Sequence, residues 1–132
     1  KLPINEQLGL PIIGQVAAGS PILAEESIDS YCEIPPDMFS PAADYLLTVK
    51  GTSMVDIGIY EDDLLAVHKT DRANNGDIVV AGIPGGEATI KTYSRSGAEV
   101  TLTPANPTMS PMEFTADEVE IYGKVVTVMR ML

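Results

Sequence analysis

Short runs of β-branched and apolar residues recur along this chain, and most are followed closely by glycine or proline. Leu10–Ile13, Tyr31–Ile34, Tyr45–Lys50, Leu64–His68, Asp77–Ile83, Glu87–Tyr93, Glu99–Thr103 and Glu118–Arg130 all have this form. Asn75-Gly76, Pro84-Gly85-Gly86 and Ser96-Gly97 reverse the chain at hairpin spacing, which leaves no room for long helices between the runs. The expectation is therefore an all-β domain, a folded sheet or barrel-like, with short helical turns only at Asp37–Phe39 and after Gly51. Glu25–Ser30 reads as a polar connection and Pro104–Pro111 as a proline-punctuated loop. The last run, Gly123–Arg130, is long and β-branched, so it is expected to be a buried or interface strand.

A chain of 132 residues with 45% hydrophobic content has the size and apolar content of one ordinary domain. With no Trp, its core must be built mostly from Val, Ile, Leu, Met and Ala. A net charge of −11 opposes binding to phosphate backbones and anionic membranes. The lone Cys32 excludes an internal disulfide or a Cys-rich metal site and fits a reducing compartment. No apolar run reaches the ~20 residues of a membrane span, and no secretory pattern opens the chain. No metal or cofactor is expected. The start at Lys1-Leu2-Pro3 suggests a fragment lacking an N-terminal part. Residues 1–14 read as the end of a linker plus a first strand, and 15–132 as the functional domain.

Three pieces carry chemistry. Gly51-Thr52-Ser53-Met54 follows a strand directly, so Ser53 falls at a strand-to-turn corner. It reads either as a helix N-cap or as a nucleophile beside free backbone N–H groups that can hold an oxyanion. A serine hydroxyl needs a base. His68, the one histidine, reads as a strand-end surface residue. A buried lysine can serve, because burial lowers its pKa from an ordinary ~10.4. Lys91 falls mid-strand on the same face as Thr89 and Tyr93, where the Thr89 hydroxyl can aim its amine. It reads equally as a solvated strand lysine, and residue type does not choose it over Lys69. Finally, Val16-Ala17-Ala18-Gly19 reads as a surface turn or as a scissile loop of small residues.

Taken together, Val16–Gly19, Pro21–Ala24, Gly51–Ile59, Asp63–Val67 and Glu87–Lys91 resemble the self-cleaving C-terminal domains of LexA-type repressors, peptidase family S24. The resemblance covers nearly the whole chain in order. It implies a fold of the LexA/signal-peptidase type and a serine endopeptidase that cuts its own Ala18–Gly19 bond. Ser53 would be the nucleophile, Lys91 the general base, and the Thr52 and Ser53 N–H groups the oxyanion site. It further implies a homodimer in the bacterial cytoplasm, stimulation by the RecA filament on single-stranded DNA, and a role in the SOS response to DNA damage. Operator DNA would be bound through a preceding DNA-binding domain that this chain lacks. A phage repressor, a UmuD-like protein, a signal-peptidase-like protease and a non-catalytic β dimerisation module are the competing readings.

Overall fold

A computed structural model describes residues 9–14, 22–23, 27–86, 88–130 and 132. Its strands are β1 (Leu10–Ile13), β2 (Ile28–Cys32), β3 (Tyr45–Thr48), β4 (Leu64–His68), β5 (Ile78–Gly82), β6 (Thr89–Ser96), β7 (Glu99–Thr103), β8 (Met112–Thr115) and β9 (Glu120–Met129). They form one sheet in the order β2-β1-β3-β4-β9-β5-β6-β7-β8. Only β1 and β3 run parallel; every other pairing is antiparallel. Register shifts in β1, β4 and β5 bend the ladder, as bulges do. The all-β expectation holds, and the described helical elements are single 3-10 turns. Among the described residues no helix is long and apolar enough to cross a membrane.

The central strands read as continuous apolar runs because both of their faces are covered. Along β3, Tyr45 and Leu47 enter one core cluster with Leu65, Val67, Val80 and Ile90. Leu46 points the other way, into a cluster with Leu10, Ala43 and Ala66. Along β5, Val80 joins the first cluster while Val79 and Ala81 pack with Tyr93, Val100 and Leu102. Alternation of side chains across a strand produces this sorting.

The structure corrects three expectations. Ile28, Asp29 and Ser30 belong to edge strand β2, not to a polar connection. Its residues are half-buried or exposed, because backbone pairing to β1 is all that an edge position demands. Met112–Thr115 forms the other edge strand, where sequence reading placed none. The final run is indeed a strand, with both of its backbone edges bonded, to β4 and β5. Its side chains beyond Gly123 are half-buried or exposed, which overturns the buried alternative and leaves the interface one standing.

Candidate active site

After β3 the chain turns at Gly51, whose φ of +83° suits glycine. Thr52 and Ser53 follow, then a single 3-10 turn, Val55–Ile57, closed by Gly58 at φ +84°. Met54 occupies the cap position and no side chain caps the turn. Ser53 is thus not the N-cap that residue type suggests. Its hydroxyl donates to the Ile90 carbonyl of β6 at 3.4 Å. That carbonyl edge is open because β7 pairs with β6 only from Thr92 onward. Past the end of β7 the chain clasps the serine turn instead. The Ala105 N–H donates to Ser53 O at 2.7 Å, the Asp56 N–H to Ala105 O at 2.8 Å, and Asn106 Nδ2 to Thr52 O at 2.8 Å. The Met54 side chain is buried in the first core cluster and pins the turn from below.

Lys91 stands directly across the ladder from the fully buried Val79, with Thr89 and Tyr93 two residues to either side. Cross-strand neighbours share a face, so its aliphatic stem runs over apolar surface. Only 8% of the residue is exposed. Its Nζ donates to the Thr89 hydroxyl. Among the described residues no carboxylate forms an ion pair with it. Burial strips water from the ammonium and pushes its pKa below the ordinary lysine value. The other strand-associated lysines differ: Lys50 and Lys69 are exposed, and Lys124 pairs with Asp77 at 3.5 Å. Between Lys91 and Lys69, which the sequence left open, only Lys91 is buried.

Ser53 and Thr89, the residue that holds the Lys91 amine, line one cleft of about 90 Å³. Lys50, Met54 and Ile90 complete much of its wall, and Gly14 borders it just past β1. Four residues beyond Gly14 comes Ala18; the Val16–Gly19 stretch itself lies outside the described residues. Among those described, neither the Thr52 nor the Ser53 N–H finds an acceptor. His68 is remote from this cleft, with Nδ1 2.9 Å from the Ala42 carbonyl and 3.6 Å from Asp44.

The model of the Peptidase S24-like family matches residues 11–126. The chain belongs to the S24-like peptidases. The match spans Ala18, Gly19, Ser53, Thr89 and Lys91. This S24 domain is 50% identical to the LexA repressor of Hahella chejuensis, over 98% of the chain and 66% of that protein. It is 58% identical to the LexA repressor of Teredinibacter turnerae, over 81% of the chain and 54% of the relative. Against the LexA repressor of Pseudomonas aeruginosa the identity is 53%, over 89% and 57%. The resemblance to LexA-type repressors read from the motifs is borne out. The S24 domain spans about three fifths of the length of these curated relatives.

Sequence reading missed the clasp by Ala105 and Asn106 and the approach of Gly14 to the cleft. Pro104 and Pro107 marked a rigid loop, but nothing local said what it would grip.

Proposed function

We propose that this chain is the self-cleaving domain of a LexA-type repressor of the SOS response, cutting its own Ala18–Gly19 bond with a Ser53–Lys91 pair. The observation that carries this is the buried Lys91 amine, without a countercharge among the described residues, held by a threonine that lines the serine's cleft. Neutral Lys91 takes the Ser53 proton as Oγ attacks the Ala18 carbonyl carbon. The developing oxyanion is received by the Thr52 and Ser53 N–H groups. The C–N bond then breaks, Lys91 returns the proton to the departing Gly19 amine, and Ala18 is left as an ester on Ser53. A water molecule, deprotonated by Lys91, hydrolyses that ester and frees the serine.

Entry of the Val16–Gly19 segment into the cleft would exclude more water from Lys91, so docking the substrate also activates the base. Stimulation by a RecA filament is then understood as stabilising the docked arrangement. Dimerisation through this domain, and operator binding through residues outside it, complete the reading. Intact-mass analysis of the purified chain after incubation at alkaline pH tests it. The expected product begins at Gly19 and is absent from Ser53→Ala and Lys91→Ala; its absence from the unaltered chain would refute the reading.

A further inference from the structure

The loop that follows β7 does more than cover the serine turn. A trans peptide unit is planar, with its C=O and N–H pointing in opposite directions. The Thr52 carbonyl and the Ser53 N–H belong to one such unit. Whatever fixes the carbonyl therefore aims the N–H. Asn106 Nδ2 is the group that fixes it, at 2.8 Å.

The asparagine is itself held the right way round. Its Oδ1 accepts from the Thr108 N–H at 2.9 Å and from the Thr108 hydroxyl at 2.8 Å. A backbone N–H can only donate, so the oxygen must face Thr108 and the NH2 must face Thr52. Pro104 and Pro107 restrict the backbone on either side. The next peptide unit is tied as well, through Ala105 N–H to Ser53 O at 2.7 Å. A hydrogen bond to a carbonyl also polarises its peptide, which strengthens the N–H on the far side.

We infer that Asn106 is a positioning residue for the cleavage reaction, aiming the Ser53 N–H at the oxyanion. This rests on the reading of Ser53 as the nucleophile. Asn106 touches no reacting atom; it acts through the Thr52–Ser53 peptide unit.

The test is the rate of Ala18–Gly19 cleavage in the full 132-residue chain against pH, for the unaltered chain, Asn106→Leu and Thr108→Val. Asn106→Leu keeps the side chain's size and removes its donor. Its plateau rate should fall roughly 10- to 100-fold, somewhat less than loss of an oxyanion donor outright. The pH of the inflection, which reports Lys91, should stay in place. Thr108→Val, which removes one of the two hydrogen bonds that hold the amide and leaves the backbone one, should slow the plateau by roughly two- to fivefold. A plateau in Asn106→Leu equal to that of the unaltered chain overturns the assignment alone. So does a loss accompanied by an upward shift of the inflection, since rehydration of Lys91 would then explain it. If Asn106→Leu does not fold, Thr108→Val is read by the same two criteria. An unaltered chain that never releases a fragment starting at Gly19 overturns the underlying site reading, and this assignment with it.

Discussion

At the head of β4, Asp63 lies 2% exposed; three strands across the sheet, on β6, Lys91 is 8% exposed. Asp63 accepts from Arg130 Nε and Nη2, each at 2.7 Å, and from the Tyr60 N–H at 2.8 Å. Arg130 also donates to Gly58 O at 2.8 Å and stacks over the Tyr60 ring, 4.9 Å from its centre. The hydrogen bonds from Arg130, then that from Tyr60, hold the Asp63 carboxyl below the ordinary carboxylate range. Lys91 has a neutral hydroxyl as its partner, and desolvation moves it toward the uncharged form. Burial alone does not make a group reactive. A countercharge turns a buried ion into a clamp, here between the end of β9 and the turn before β4; without one among the described residues, as at Lys91, the uncharged form is favoured, which is what the proposed role of a base requires.

The largest test of that contrast is Lys91→Met, which should slow cleavage by ~10³-fold or more, as loss of a member of a nucleophile–base pair does. The same change should raise the melting temperature at neutral pH. The folded state holds the Lys91 ammonium away from water, which is what lowers its pKa, so its burial costs stability there. That cost is fully present below the folded-state pKa and fades as pH climbs toward the unfolded ~10.4. The difference between the melting curves of the two proteins should shrink over that window; a constant difference would show that Lys91 is hydrated in the folded state.

Next in size is pH itself. Well below the Lys91 pKa the cleavage rate should rise about tenfold per unit and then level off, with the inflection below 10.5. A rate that does not respond to pH would remove Lys91 as the base.

Asp63→Ala should lower the melting temperature by several degrees by stranding Arg130, while cleavage persists well below that temperature. Because the folded-state pKa of Asp63 is depressed, its stabilisation is complete above the ordinary carboxylate pKa. It disappears as pH falls through the depressed value, where the two proteins should converge. Thermal melts in neutral and acid buffers check this. A modest effect is expected from Thr89→Val, which keeps Lys91 buried but unaimed: roughly a three- to tenfold slower cut, by mass spectrometry.

Much of this molecule was readable from residue order because its central strands are buried on both faces. Leu10–Ile13, Leu64–His68 and Glu99–Thr103 have the observed ends of β1, β4 and β7. Edge strands were harder to read: neither β2 nor β8 contains a fully buried residue, so neither needs an apolar run. At the candidate site, Ser53 and Lys91 were singled out by motif order. The burial of Lys91 was not, since it depends on Val79 lying opposite in another strand. Nor was the Asn106 contact, which joins residues 54 positions apart.

Gly14 borders the cleft and Ile22 is packed into the core, and the chain between these two described points includes Ala18 and Gly19. Four residues reach at most ~14 Å, which bounds how far Ala18 can ever stray from Gly14. A cut made within one chain, as proposed, would need no diffusion between molecules, and the half-life of the bond should be the same after hundredfold dilution. A catalyst roped to a single substrate also fires once. On the proposed reading such a domain would behave as a fuse rather than as an enzyme with turnover, its output counted in molecules spent.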